Sequence, residues 1–363
     1  MESILYALCL QRIPFIGLAA KNTLLQQAGS AKNIFINASA YNYYGYQHPE
    51  THAAFQTQND ALKQAELELD WCNKNNIQIL TQDNPGYPPL LLQMPDAPLV
   101  LFVKGQLPLT LHTVSVVGTR KPSQRAEANV KRMVGPLQQI PCAIISGLAY
   151  GIDRMAHEAA IEHKIPTWAV MGTGLDTVYP TLHKSLAHLI LDRGGAWISE
   201  QCSKSLVHPG VFPKRNRIIS GLSQAIVVIE STCKGGSMIT ARLGQDYHRD
   251  VFAVCGRPDD TTSAGCHALI KHHLAQLIEN GEDLLEAMSW KEHFARKIKK
   301  SSQKHIHPDH ASLWKLFLQK DQWTMDALYE TGSYNAAQLA EGLFYLETEQ
   351  LIKAYPGARY QRL

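Results

Sequence analysis

Val114-Ser115-Val116-Val117-Gly118-Thr119-Arg120 is a run of mostly β-branched residues that stops at a glycine, a hydroxyl and a cation. The chain repeats the design at Ala143-Ile144-Ile145-Ser146-Gly147-Leu148-Ala149-Tyr150-Gly151-Ile152-Asp153, and an amphipathic segment over 151–163 follows directly. Continuous apolar runs of this kind are how strands buried on both faces read. Further runs stand at Ile77–Leu80, Leu99–Val103, Thr167–Val170, Ala196–Ile198, Ala225–Ile229 and Val251–Val254, with amphipathic segments at 125–138, 182–191 and 237–248 among them. Strands alternating with helices predict an α/β fold. The expectation is a doubly wound α/β domain over 76–290, with a mostly parallel sheet covered on both faces.

Outward from this domain, residues 1–75 space Leu, Ile and Ala at helical intervals over 2–10, 17–29 and 57–75, which predicts a helical N-terminal domain. Its loop with Tyr41, Tyr43, Tyr44 and Tyr46 offers rings that pack on their own domain or stack on bases. Residues 291–307, with Lys291, Arg296, Lys297, Lys299, Lys300 and Lys304, read as a solvated basic linker. His305, His307 and His310 lie near one another, but nothing completes a ligand set, so no metal is expected. Residues 308–363 predict helices at about 311–318, 323–330 and 335–349 and then a Pro356-Gly357 hairpin, the layout of a winged-helix domain.

The 363 residues are too many for one typical core, so two or three domains are expected. A net charge of +3 does not demand a nucleic-acid partner, so any basic footprint must be local. Seven scattered cysteines with no C-x-x-C pair suit reduced thiols and a cytoplasmic setting. Glu2 stands where a signal peptide needs basic residues, and Gln11, Arg12 and Pro14 break the early apolar stretch. No apolar run approaches the ~18 residues of a membrane span. The expectation is a soluble chain without membrane contact.

Ligands of open parallel sheets bind beyond the carboxyl ends of the strands. Here those positions carry Gly118-Thr119-Arg120-Lys121-Pro122-Ser123, Ser146-Gly147, Gly172-Thr173-Gly174, Ser199-Glu200 and Gly235-Gly236-Ser237. Glycines and hydroxyls at helix starts turn backbone N–H groups outward, which suits an anion. None of the turns is G-x-G-x-x-G, and no acidic residue stands where a dinucleotide ribose needs one, so no nicotinamide cofactor is expected. There is no P-loop, no metal-ligand spacing and no declared nucleophile–base pair. His157 reads as structural and Asp153 as a helix cap. Lys214, Arg215 and Arg217 with Asn216 make a phosphate grip, in which Lys214 and Arg217 share a helical face. The competing reading pairs one of the arginines with Glu200 or Asp153.

Taken together, S-V-V-G-T-R (115–120), S-G-L-A-Y-G-I-D with His157 (146–157), G-T-G-L-D-x-x-Y-P (172–180), F-P-K-R-N-R-I-I-S-G-L-S (212–223) and G-S-M-I-T-A-R-L (236–243) resemble the DNA-processing protein A family, also called DprA or Smf. The resemblance runs from about Tyr87 to Gly256. It implies an extended Rossmann domain, an N-terminal helical domain like the sterile alpha motif (SAM-like) and a C-terminal winged helix. It also implies binding of incoming single-stranded DNA in natural transformation, loading of the recombinase RecA, homodimerisation through the Rossmann-like domain, and no catalysis. Carried over by position, Arg120, Lys214, Arg215, Asn216 and Arg217 would line the DNA pocket. Gly118, Thr119, Ser146, Gly147, Gly236 and Ser237 would complete it at the turns, with Gly118, Ser146 and Gly147 presenting backbone amides. The chain departs from the family after its last strand, at Cys255-Gly256-Arg257-Pro258 and Gly265-Cys266-His267-Ala268-Leu269-Ile270.

Nucleotide hydrolases of the lysine-decarboxylase-like type carry P-G-G-x-G-T-x-x-E, whereas Lys234-Gly235-Gly236-Ser237-Met238-Ile239-Thr240-Ala241 lacks the later glycine and the catalytic Glu. The segment Asn335 to Glu349 holds Glu341, Glu347 and Glu349 and no Lys or Arg, so it is expected to contact protein or regulate access and not to read a duplex.

Overall fold

The computed structural model describes residues 2–36, 58–291, 307–331, 334–349 and 351–362. The chain divides into two compact units, Met1–Lys291 and Glu292–Leu363. The tyrosine loop at 41–46 and residues 292–306 of the basic connector lie outside the described residues.

Helices α1 (Glu2–Arg12), α2 (Leu18–Ala28), α3 (Ala31–Ile36) and α4 (Gln58–Lys74) open the first unit. There follow β1 (Gln78–Thr81), α5 (Pro89–Leu92), β2 (Val100–Gly105), β3 (His112–Val117), α6 (Ala126–Val134), β4 (Cys142–Ser146) and α7 (Ile152–Glu162). Next come β5 (Thr167–Val170), α8 (Lys184–Asp192), β6 (Ala196–Ser199), α9 (Val211–Leu222), β7 (Ala225–Val228) and α10 (Gly236–Asp246). The unit closes with β8 (Asp250–Val254), α11 (Ala264–Lys271), β9 (Gln276–Ile278) and α12 (Gly281–Ala287).

The strands form one sheet in the order β1-β2-β6-β5-β4-β3-β7-β8-β9. Every pair from β6 across to β9 is parallel, while β1 pairs β2 and β2 pairs β6 antiparallel. The mixed α/β architecture with a mostly parallel sheet is the one the apolar runs predict. Strand β9 escapes that reading because only Ile278 of its three residues is buried, too little for a periodic signal. From β3 the chain winds through β4 and β5 to β6, then returns to set β7 on the other side of β3 and winds away through β8. The carboxyl ends of β3 and β7 therefore border the switch point, where neighbouring crossovers leave in opposite directions and open a crevice.

One face of the sheet shares its core with the N-terminal helices, joining Leu8, Leu10 and Ile34 to Phe102, Ile190 and Trp197. The other packs Ile218, Ile219, Leu222 and Met238 against Ile145, Val170 and Val228. Each such side chain contributes roughly 1.5–3 kcal/mol through burial. Gln11 Nε2 donates to the Glu200 carbonyl, and Ser203 donates its backbone N–H and hydroxyl to Glu68, so polar contacts also tie the helices to the loop after β6.

The second unit holds α13 (Pro308–Gln319), β10 (Gln322–Thr324), α14 (Met325–Glu330), α15 (Ala336–Thr348), β11 (Ile352–Tyr355) and β12 (Arg359–Arg362). Its strands form an antiparallel sheet in the order β10-β12-β11 over a core of Leu313, Phe317, Leu328, Leu339, Leu343 and Leu346. The segment expected as one helix over 323–330 begins as strand, because the Thr324 hydroxyl accepts from Ala327 N and caps α14 at that point. Asn335 and Gln338 form a reciprocal capping box at the start of α15.

Candidate nucleic-acid interface

At the switch point lies an open cleft of about 390 Å3, walled by the turn after β3, the loop after β4, helix α9 and the start of α10. Three of the four walls bring residues expected from sequence: Gly118, Thr119 and Arg120 from the first, Arg215 and Asn216 from α9, and Gly236 and Ser237 from α10, whereas the loop after β4 and the start of α7 contribute Ala149 and Asp153. The N-terminus of α10 has no side-chain cap. Its first N–H groups have no intrahelical acceptor, so the helix presents donors and the positive end of its dipole to the cleft.

The turn that carries Arg120 is pinned by Glu230, just past β7. Thr119 N donates to the Glu230 carbonyl (2.7 Å), and Ser123 donates its N–H and hydroxyl to the carboxylate (2.9 and 2.6 Å). Arg120 itself is exposed and has no ion-pair partner among the described residues, while its guanidinium lies 5.8 Å from the centre of the Phe212 ring. Gly151 lets the next loop approach: its φ is +78°, and a Cβ there would stand 2.3 Å from the Thr119 carbonyl oxygen.

Arg215 is buried at the floor, where its Nη1 donates to the carbonyls of Gly147 (2.6 Å) and Val170. A Cβ on Gly147 would meet that guanidinium at 2.5 Å, which is why a glycine stands there. Burial pushes Arg215 down to about 10 against the pull of Asp153, and the nearby Arg120 charge acts in the same direction. Burial also raises the Asp153 carboxyl above its ordinary value, opposed chiefly by Arg215. Asp153 does not cap its own helix as expected. It accepts from Gly147 N (3.1 Å) and Ala149 N (3.4 Å), holding the loop before the helix. Two guanidinium groups with one carboxylate in the lining leave the cleft suited to an anion.

The remaining expected residues sit elsewhere. Ser146 is buried at the end of β4 with its hydroxyl on the Val116 carbonyl, and the Gly147 amide is taken by Asp153; neither residue lines the cleft. Lys214 is exposed and outside the cleft lining. Arg217, three residues further along α9, is buried, with Nη2 forked onto both Glu200 oxygens and Nη1 on the Asp96 carbonyl (2.7 Å), and it is not in the cleft lining. Tyr247 donates to the Asp96 carboxylate at 2.9 Å, closing that network. The pairing with Glu200 was the alternative the sequence left open for the arginines. His157 is structural as read. Thr167 spends its hydroxyl proton on the Ile144 carbonyl and so accepts from His157 Nδ1 (2.7 Å), which leaves Nε2 as an unprotonated acceptor with no partner among the described residues. No group of three or more His, Cys, Asp or Glu residues could hold a metal among the described residues, and no described helix is long and apolar enough to cross a membrane.

An aromatic hollow of about 40 Å3, not expected from the sequence, lies beside the cleft. Tyr150, Tyr179 and Phe212 line it together with Arg120 and Arg215. Tyr179 and Phe212 have ring centres 5.2 Å apart, and Tyr150 and Tyr179 remain 42% and 48% exposed. All three stand inside the motifs quoted above, and large aromatic residues in strand-end turns were the available signal. Glu230 was missed too, although a carboxylate directly after a buried strand asks for a partner.

The model of the DNA recombination-mediator protein A family matches residues 78–289. Protein Smf of Escherichia coli K12 is 35% identical over 309 residues, covering 83% of this chain and 81% of its own length. The X-ray structure of DNA processing protein A from Streptococcus pneumoniae superposes with a TM-score of 0.60 at 29% identity, covering 78% of this chain and 97% of that one. A structure addressing the single-stranded DNA binding mode of DNA processing protein A from Helicobacter pylori gives a TM-score of 0.52 at 28% identity, covering 59% of this chain and 97% of that one. The cleft and all its walls fall within the matched span, and the chain belongs to the DNA recombination-mediator protein A family.

Proposed function

We propose that this chain binds single-stranded DNA, setting phosphates in the switch-point cleft and an unstacked base in the aromatic hollow beside it. One observation carries the reading: Arg120 has no carboxylate partner among the described residues and borders both spaces, next to an uncapped helix N-terminus. Phosphate contacts give affinity without sequence preference, and rings that take a base require the strand to be unpaired. A duplex keeps its bases stacked inside, so it reaches the cleft with its backbone alone.

In this reading the protein is non-catalytic and cytoplasmic, protects incoming DNA in natural transformation, loads RecA and dimerises through the Rossmann-like domain. Family membership and the lack of the hydrolase glutamate support it. The N-terminal helices then form a SAM-like domain and the C-terminal unit a winged helix whose acidic helix does not enter a major groove. The test is a fluorescence titration of matched single-stranded and duplex oligonucleotides across a salt series. Tighter binding to the single strand, weakening steeply with salt, is expected; equal binding to both refutes the strand preference. RecA assembly on a strand already coated with single-strand-binding protein tests the loading step, and release of free base from nucleoside monophosphates would refute the non-catalytic reading.

A further inference from the structure

The sheet of the C-terminal unit has one face on the core and one in solvent. Trp323 and Tyr360 turn inward and pack with the core. The alternate residues turn outward, and register sets them in two rows: Gln322, Gln361 and Lys353 in one, Thr324, Arg359 and Tyr355 in the other. All six are exposed. Neither row contains a carboxylate. Strands spaced ≈ 4.8 Å make this a platform about 10 Å wide.

Within it, Lys353 Nζ lies 5.5 Å from the centre of the Tyr355 ring, so a cation holds one face of the ring while the ring stays 39% exposed. Arg359 donates Nε to the Pro356 carbonyl (3.2 Å), which anchors the guanidinium at the hairpin and leaves its terminal nitrogens. At the margins Arg362 is neutralised by Asp321 (2.7 Å), and Glu347 accepts from Ala354 N on the outer edge of β11. Helix α15 in the same unit carries Glu341 and Glu347 and no cation, and exposes Phe344 at 72%. A polyanion is therefore repelled by the helix and attracted by the sheet.

We propose that this open sheet face is a second contact for single-stranded DNA, in which one base stacks on Tyr355 and flanking phosphates meet Lys353 and Arg359. Single-stranded nucleic acid is recognised elsewhere by the same combination of exposed ring, cations and amides on a sheet. A duplex offers no free base to the ring. The inference takes the identity of the polyanion from the proposed function but uses none of the cleft residues.

The test uses the full chain and a long single-stranded oligonucleotide carrying a photoreactive thymine analogue, with cross-linked peptides mapped by mass spectrometry. A cross-link in the peptide that contains Tyr355 is expected. The pair Lys353→Gln with Arg359→Gln should weaken binding about tenfold and reduce the slope of log affinity against log salt by about 1.4, since each phosphate contact on a single strand contributes ≈ 0.7. Cross-links confined to residues 1–291 together with an unchanged slope overturn the inference. Arg120→Ala separates the two readings. If it binds as the parent does while the sheet pair loses its slope, the sheet contact stands and the cleft assignment fails; the opposite pattern removes the sheet and keeps the cleft.

Discussion

Two arginines that look equivalent in sequence should respond to alanine in opposite ways. Arg120 is exposed, and no carboxylate holds it among the described residues. Replacing it removes a charge-assisted phosphate contact of roughly 1.5–3 kcal/mol, so affinity for a single strand should fall about 10–100-fold. The salt slope should flatten by about 0.7. Folding should scarcely change, because what is lost in the free protein is the contact with Phe212, worth ~0.5–1 kcal/mol at an exposed site.

Arg217 is the reverse. Its side chain is 10% exposed against Glu200 at 14%, and Asp96 takes a second contact from it at 3.7 Å. Alanine there leaves a nearly buried carboxylate without its cation, a loss of about 3–5 kcal/mol in stability. That corresponds to a fall in Tm of roughly 6–20 °C. Affinity of the folded fraction should stay near that of the parent. Differential scanning fluorimetry and anisotropy titrations on both variants, at a temperature where both are folded, read the two quantities separately. Equal losses of affinity with unchanged Tm in both variants would refute the placement of Arg217 and the argument built on burial.

Glu230→Gln keeps the size of the side chain but loses one of two acceptors for Ser123, so the Arg120 turn should loosen. Stability should drop by ~1–2 kcal/mol and affinity by several-fold, and wild-type affinity in a titration would show that the turn needs no pin. Gly236 has open space where a Cβ would stand, so Gly236→Asp should fold normally, with the added charge even favoured at the helix N-terminus by ~0.3–1 kcal/mol. The same charge should repel phosphate, so undiminished DNA binding by this variant would move the anion site away from α10. His157 is pushed down to about 3 by burial. Below its unfolded value of about 6.5 the unfolded chain takes up a proton that the native state refuses, so stability falls with pH, by ~2 kcal/mol on going to about pH 5. Denaturant midpoints at the two pH values should move less in His157→Gln, and an equal shift in both proteins would place the acid sensitivity elsewhere.

Much of this was written locally. Val114–Val117, Ala143–Ile145 and Ala225–Ile229 are buried on both faces and carry an apolar signal interrupted only at Ser115, so their strands are legible, as are the turns that follow them. Strand β9 was not, because an edge strand with one buried residue leaves almost no pattern. The antiparallel β1 and β2 were found as strands, but their direction was not, since a run of Val and Leu reads the same in either sense. The aromatic hollow was also invisible as a unit, because Tyr150, Tyr179 and Phe212 come from three separate turns that converge at one rim.

The α/β class, the anion-favouring turns and the family motifs are legible in the chain because each depends on residues near one another in it. Which arginine of α9 faces the cleft depends on contacts distant in the chain. Arg215 and Arg217 stand two residues apart on one helix, and their roles depend on what lies opposite. Gly147 and Val170 carbonyls draw Arg215 to the cleft floor, while Glu200 and Asp96 hold Arg217 away from it. Those partners are set by strand order and crossover direction, which are long-range properties that no local window of sequence contains.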